Sequence, residues 1–391
     1  MSLSDAPPAK ESTRVPSSSL PPVAPPTATF ILQLFLIPLL IVTIVVLLWL
    51  LFSWVAHMGR DNAGDLAKAI VRDDTASWQR SYELADLLSS PDPKYAALRK
   101  DAVLAKTLAD FLDRDLNEPL QPQNGTTPSR RGTYSASQAP AGSDRRARIM
   151  RRMYLCRSLG SFSVQDGLPV LLKAAQQEKD PVEVQVRFSA LEAIATLADN
   201  CGPQSLAQSQ EVLDVLLAAS REASDTTPPP PPSDDGEPTL YRPHAELRAV
   251  AAYALGVIGS EQATERLEQM VRDPYPNARY NAATGLARRG NEKCGAVLRE
   301  MLDPTNALAI QDESNPNDRA RKRTTVILNG IKATVHLAEA NPNADLTPLI
   351  GALDNLVSSP LESITIDRNK VKNAASEARR LIEPKKQEPR S

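Results

Sequence analysis

The chain has 391 residues, of which 45 are basic and 47 acidic, for a formal net charge of −2 at neutral pH. This balance supplies no overall attraction to nucleic acid or anionic lipid, so any electrostatic partner must bind a local patch. The 33 prolines are unevenly spread and only 4% of residues are aromatic, which argues against one compact core. Cys156, Cys201 and Cys294 are far apart and form no CxxC spacing, so they indicate buried or neutral thiols and exclude a disulfide framework.

The N-terminal arm, residues 1–29, is rich in proline, serine and alanine. It offers too little apolar side chain to offset the entropy lost on ordering, so we expect it to be disordered.

Residues 30–56 give the strongest single signal in the sequence, with no charge in 27 residues and 20 of them Leu, Ile, Val or Phe. At about 1.5 Å per residue, a helix of this length exceeds the roughly 30 Å hydrocarbon core of a bilayer. The apolar part of a signal peptide covers only about 7 to 15 residues, and a buried core helix also fits poorly. The sequence therefore predicts one transmembrane helix. Its anchor residues are Phe30, Pro38, Trp49 and Trp54.

The basic residues that flank this span predict its orientation. Arg14 precedes it, whereas Arg60, Lys68 and Arg72 follow it. Because basic residues are retained on the cytoplasmic side, we expect the C-terminal bulk of the chain to lie in the cytoplasm.

Two further regions precede the main body of the chain. Residues 57–118 have apolar residues at helical spacing and predict a short helical region, and residues 119–143 predict a linker. Within the main body, the segment 223–242 contains five consecutive prolines, which form either a plain spacer or a polyproline II ligand. Residues 384–391 form a tail.

Four segments between residues 144 and 300 repeat one pattern. Each begins with an arginine, and small or apolar residues follow at three, four, seven and eight positions, which is one face of an α-helix. The small residues let a neighbouring helix approach closely, so the stripe needs a helix on either side. The residues of this signature are Arg152, Arg187, Arg248, Ala251, Ala252, Leu255, Gly256, Arg279, Ala282, Ala283 and Leu286.

Partner helices are predicted between the arginine helices, over 167–175, 210–220, 261–271 and 295–302. We expect Asp273, which precedes Pro274, to cap the start of a helix. Such helix pairs stack into a solenoid. The pattern weakens toward the C-terminus, where Lys372 takes the place of the arginine.

On these residues the segment 144–383 resembles the HEAT-repeat family, and in particular the lean form called PBS-lyase HEAT-like repeats. The match is clearest from Arg248 to Gly256. The resemblance implies an all-α fold, an α-solenoid of HEAT-like helix pairs preceded by one transmembrane helix. The chain as a whole looks like membrane-anchored bacterial HEAT-repeat proteins of undefined role. An ordinary helical bundle with accidental similarity is the alternative.

Relatives of this repeat include lyases and hydroxylases, and their chemistry needs residues that this sequence lacks. Deoxyhypusine hydroxylase is built from similar repeats and holds two irons with several His-Glu pairs. The histidines here are His57, His244 and His336, and none is followed by glutamate. We therefore predict no catalytic, cofactor-binding or metal residues, no cofactor and no small-molecule substrate, with a cofactor-bound enzyme as the alternative hypothesis.

Basic residues crowd two predicted helices. They predict either solvated faces with ion pairs or a patch for an acidic protein or anionic headgroups, while the interspersed acidic residues disfavour nucleic acid. The candidate partner-binding residues are Arg145, Arg148, Arg151, Arg321 and Arg323. Together these features predict a single-pass membrane protein whose solenoid acts as a scaffold or adaptor for protein partners.

Overall fold

The computed structural model describes residues 28–58, 63–71, 77–120, 144–176, 183–222, 243–313 and 315–382. These ranges contain helices and no strand, which confirms the predicted all-α class. Nearly all of the arm 1–29, most of the linker 119–143, the insertion 223–242 and the tail 384–391 lie outside them. The chain divides into two units, Met1–Asn62 and Ala63–Ser391.

The described part of the first unit is one helix, α1 (Ala28–Met58), of 31 residues with Pro38 inside it. Its side chains are described at position 36 and over 38–52, and all of these are exposed, including Trp49 at 67%. Phe30 and Trp54 belong to α1, but their side chains are outside the description. Counting only described residues, no helix is both long and apolar enough to cross a membrane. The run 38–52 is shorter than the roughly 20 residues a span requires, so the transmembrane helix stays a prediction.

The described residues of the second unit form fifteen α-helices and several 3-10 helices. The four predicted arginine helices are α5, α7, α10 and α12, and their predicted partners are α6, α9, α11 and α13. The helices are α2 (Ala63–Val71), α3 (Ser77–Ser89), α4 (Ala102–Asn117), α5 (Asp144–Gly160), α6 (Leu168–Gln176), α7 (Val184–Cys201), α8 (Pro203–Ala207), α9 (Gln210–Ala219), α10 (Pro243–Ile258), α11 (Glu261–Met270), α12 (Pro276–Ala287), α13 (Gly295–Met301), α14 (Pro316–Ala340), α15 (Thr347–Ser358) and α16 (Arg368–Ile382).

These helices stack in two rows, as in an α-solenoid. Row one contains α3, α5, α7, α10, α12, α14 and α16, and each of them packs against the next. Row two contains α4, α6, α9, α11, α13 and α15, which pack against row-one helices and, for most, against each other. Helices α3 and α4 belong to these rows. The stack therefore begins before residue 144 and includes part of residues 57–118, which the sequence predicted as a separate helical region.

Small residues bring the row-one helices together, as their spacing predicts. Ala251, Ala252, Ala282 and Ala283 are fully buried. A Cβ atom placed on Gly256 of α10 would lie only 2.8 Å from the Cα atom of Gly285 on α12. Leu255 and Leu286 fill the adjoining space and are likewise fully buried. The stripe therefore buries its apolar surface only through contact with the next helix.

Candidate protein-interaction surface

The repeat arginines form a ladder inside the stack. Arg248 donates to both carboxylate oxygens of Asp273 at 2.9 and 3.1 Å, and to the carbonyl of Glu222 after α9 at 3.3 Å. Arg279 donates to both carboxylate oxygens of Glu300 at 3.1 and 2.6 Å, and to the carbonyl of Asp273 after α11 at 3.2 Å. Each arginine therefore binds the turn that follows a row-two helix and a carboxylate further along the chain.

The same arrangement holds for the two earlier repeat arginines. Arg187 lies 2.5 Å from the Glu222 carboxylate and donates to the Ala175 carbonyl in the last turn of α6 at 3.0 Å. Arg152, fully buried, lies 2.9 Å from the Glu183 carboxylate and donates to the carbonyl of Glu118 after α4. Glu222 and Asp273 each contact two arginines, one through the side chain and the next through the carbonyl. The signature arginines therefore connect successive helix pairs.

Asp273 was expected to cap a helix, and the structure corrects this. The residue before the first turn of α12 is Tyr275, and Pro276 is at the start of the helix. Asp273 instead binds Arg248 and accepts a hydrogen bond from the Tyr275 amide at 2.8 Å. The ion pair takes the carboxylate away from the helix start.

The ladder arginines change the acidity of their partners. Burial alone would raise the pKa of the Glu222 carboxyl, but the hydrogen bond and charge of Arg187, together with His244, hold that pKa below its ordinary value. Burial also opposes ionisation of Glu300, and there Arg279 and Tyr280 outweigh it, so the pKa is again lowered. Both carboxylates are therefore ionised partners of their arginines at neutral pH.

Asp115, in the last turn of α4, forms ion pairs with three arginines of α5. Its carboxylate lies 2.7 Å from Arg148, 3.1 Å from Arg151 and 3.5 Å from Arg152. Arg151 also donates to the Ser77 hydroxyl at 2.9 Å, and its side chain is only 3% exposed. Arg148 and Arg151 were predicted to bind a partner, but the structure uses them internally to join α4 to α5. Their burial, which the sequence does not show, is the physical reason for this correction.

Arg323 is a fifth member of the ladder, although the sequence predicted it to be a partner-binding residue. It donates to the Pro304 carbonyl after α13 at 3.0 Å and to the Ser363 carbonyl at 3.4 Å. The spacing of Val326, Ile327 and Gly330 after it is the repeat pattern, so the signal was present. Among the predicted partner-binding residues, Arg321 is 71% exposed and lies 3.5 Å from Asp318, and Arg145 is half-buried in the first turn of α5.

The side of the row-one helices opposite the buried stripe is solvent-facing. Positions two, five and nine after a ladder arginine lie on this side of a helix, and equivalent positions line up because successive row-one helices pack side by side. Most of these positions are exposed or half-buried, whereas Ser161, Val250 and Val257 are buried. We call this surface the outer face of row one. It carries aromatic and basic groups: Tyr253 is 37% exposed, and the Tyr154 ring stacks edge-on against Tyr82 at 5.2 Å. Its residues are Tyr154, Arg157, Glu192, Thr196, Tyr253, Asn281, Thr284, Arg288, Thr325, Leu328 and Lys332.

No arrangement within the described residues resembles a catalytic centre. In those ranges no group of three or more His, Cys, Asp or Glu residues could hold a metal ion. His244 lies 3.1 Å from Glu222, and burial raises the pKa of the Cys156 and Cys294 thiols to about 12, which removes their nucleophilic form at neutral pH. Two shallow open grooves, of about 420 and 380 Å³, lie between neighbouring row-two helices.

The pattern of an arginine followed by small residues is strongest in α10 and α12. A match to a known family covers this part of the chain. Residues 238–313 match the family model for HEAT repeats. The match spans α10 to α13 with Arg248 and Arg279, and it supports the HEAT-repeat interpretation of the chain. Because it covers less than half of the chain, the finer likeness to PBS-lyase HEAT-like repeats and to membrane-anchored relatives stays a prediction.

Solved structures and curated proteins give no further information about the family. Among solved structures, the chain is similar to the X-ray structure of the Escherichia coli protein YibA, with 14% identity over 82% of this chain and 97% of that one. The TM-score is 0.28, so this similarity carries no argument about fold or function. No curated protein matches the chain.

Proposed function

We propose that this protein is a membrane-anchored scaffold that binds protein partners through the outer face of row one. The observation that supports it best is the alignment of equivalent positions from successive helices on one surface, most of them exposed or half-buried. Tyrosine and arginine, which dominate binding energy at protein interfaces, occupy several of them, such as Tyr154, Arg157 and Tyr253. A partner would distribute its contacts over several repeats, as stacked-repeat proteins allow. The proposal includes no catalytic step, cofactor or small-molecule substrate.

The anchor is the second half of this proposal. Residues 30–56 contain no charge, and the described side chains of α1 expose a continuous apolar surface that is unfavourable in water. A bilayer would cover that surface and confine partner binding to two dimensions, which raises the effective concentration. The basic residues Arg60, Lys68 and Arg72 place the second unit in the cytoplasm in this proposal.

Site-specific photo-crosslinking tests partner binding. A benzophenone amino acid replaces Tyr253 on α10, and in the control it replaces Gln262, which is exposed on α11 of row two. After irradiation of native membranes, we expect a discrete protein adduct from position 253 and none from position 262. Equal adducts at both positions, or none at either, would refute the proposed face.

Alkaline carbonate extraction tests the anchor separately. The full-length protein should remain with the membranes after the wash, and a variant that lacks residues 30–56 should move to the supernatant. Full-length protein in the supernatant would rule out a transmembrane anchor and would leave the partner-binding face unaffected.

A further inference from the structure

Arg288 and Lys332 occupy equivalent positions on neighbouring helices of row one. Each lies nine positions after the ladder arginine of its repeat, Arg288 at the end of α12 and Lys332 on α14, and these helices pack against each other. Asn341 donates a 3.1 Å hydrogen bond to the Gly290 carbonyl, which holds the end of α12 against the end of α14. The two cationic side chains therefore share one part of the outer face.

His336 belongs to the same part of the surface, because it follows Lys332 by one helical turn. It is half-buried, and its Nδ1 atom has no hydrogen-bond partner within the described structure. Burial lowers the pKa of His336, the charges of Arg288 and Lys332 lower it further, and Glu339 acts in the opposite direction. The three basic groups thus lie close enough to influence one another across the two helices.

Some basic residues near this cluster are paired with carboxylates, whereas the cluster is not. Arg279 lies 2.6 Å from Glu300, and Lys293 lies 2.6 Å from Glu268. Neither Arg288 nor Lys332 forms an ion pair with a carboxylate in the parts of the chain that the structure describes. These two cations therefore form a positive area that no carboxylate of the described chain neutralises.

The size of the cluster favours one class of partner. Proteins that grip duplex DNA by its backbone contact about 6 to 10 phosphates. Segments that recognise anionic membranes carry roughly 4 to 8 clustered Lys and Arg residues. Arg288, Lys332 and His336 supply two permanent cations and one imidazole, and Glu339 lies close by on α14. Two or three carboxylates of a short peptide segment match this number.

We propose that Arg288, Lys332 and His336 form a docking site for a short acidic segment of a protein partner. This inference rests on the proposed protein-binding function and assigns a chemistry to one part of its surface. Exposed ion pairs contribute little energy each, so the site sets the register and specificity of the partner more than its total affinity.

A binding titration with a defined probe tests the site. The probe is a fluorescein-labelled twelve-residue peptide of alternating glutamate and serine, added to the full-length protein in neutral detergent at low ionic strength. Fluorescence anisotropy should show binding that salt weakens. The double substitution Arg288→Glu with Lys332→Glu should weaken that binding about tenfold or more, because it replaces two attractions with two repulsions. A lysine–serine peptide of equal length should bind the double variant better than the wild type.

The matched control is Lys94→Glu with Lys106→Glu, which changes the net charge equally at side chains that are 52% and 67% exposed. It should leave peptide binding unchanged. An equal loss in the control, or no loss in the double variant, would overturn the site. Soluble dihexanoyl-phosphatidylglycerol or a short DNA duplex that displaces the peptide more effectively at equal charge would overturn the choice of partner. Crosslinks from position 253 without peptide binding would refute this inference alone, whereas loss of those crosslinks would refute the proposed function.

Discussion

The basic residues at the start of α5 and those where α12 meets α14 have opposite roles. In α5, Arg148, Arg151 and Arg152 converge on Asp115, which is only 2% exposed in its side chain. At α12 and α14, Arg288 and Lys332 face solvent, and neither forms an ion pair with a carboxylate in the described part of the chain. The denser cluster of arginines is therefore structural, and the sparser pair is the one that we propose as a docking site. The density of basic residues along the sequence therefore does not show which of them remain without a carboxylate partner.

Removal of the Asp115 carboxylate should cause the largest loss of stability. Asp115→Ala leaves the guanidinium groups of Arg148, Arg151 and Arg152 partly uncompensated in a buried site, so the free energy of unfolding should fall by about 3–5 kcal/mol. A urea titration of the purified protein, followed by far-ultraviolet circular dichroism, measures this. Asp110→Ala, at an exposed ion pair with Lys106, should change it by less than about 1 kcal/mol. Similar results for both variants would contradict a structural role for the α5 cluster.

The close approach of α10 and α12 predicts the next largest effect. Gly256→Ala places a methyl group 2.8 Å from the Gly285 Cα atom, and the backbone must shift, so the free energy of unfolding should fall by about 1–3 kcal/mol. Gly351→Ala on α15 meets no atom within 4 Å and should instead stabilise the helix by about 0.5–1 kcal/mol. The same titration separates the two variants, and an unchanged Gly256→Ala protein would show that the helices are not in close contact there.

Arg321 and Arg323 lie two residues apart on α14 but have different surroundings. Arg323→Ala removes hydrogen bonds to the Pro304 and Ser363 carbonyls, and the free energy of unfolding should fall by about 1–2 kcal/mol. Arg321→Ala, at a side chain 71% exposed, should cost less than about 0.5 kcal/mol. Thermal and urea unfolding of the pair provide the measurement. A greater loss from Arg321→Ala would return Arg323 to the set of partner-binding candidates.

The smallest effect is a change in pH dependence. The pKa of Glu300 is lowered in the folded protein, so the Arg279–Glu300 pair contributes fully above the ordinary value of about 4.5 and is lost as the pH falls through the lowered pKa. Glu300→Gln should therefore flatten the fall in stability on acidification. Glu192→Gln, at an exposed position of α7, is the control and should keep the wild-type slope. A wild-type slope in Glu300→Gln would remove Glu300 from the ladder.

Much of the fold was accessible from the sequence because the repeat depends on local spacing. Arg248, Ala251, Ala252 and Leu255 lie on one helical face, and that face is the buried one. The partner helices could be predicted because the intervals between these segments are long enough to contain them. Arg323 was also accessible, since Val326 and Gly330 follow it at repeat spacing, but the neighbouring basic residues hid it.

The partner that each charged side chain contacts could not be predicted from the sequence. Asp115 and Arg151 are 36 residues apart, and only the packing of α4 against α5 brings them together. The same applies to Arg288 and Lys332, which become neighbours through the packing of α12 against α14. Helical periodicity tells which side of a helix is buried, but it contains no information about which carboxylate from another helix will reach an arginine.

The order of partners along the ladder has a consequence for how the protein is made. Each signature arginine binds a carbonyl from residues synthesised earlier and its chief carboxylate from residues synthesised later. Arg279, for example, binds the Asp273 carbonyl, six residues before it, and the Glu300 carboxylate, 21 residues after it. We therefore expect a nascent chain to pack each new helix against the residues already folded, and the following helix pair to complete the ion pair. Assembly in the direction of translation needs no long search for a distant strand or domain.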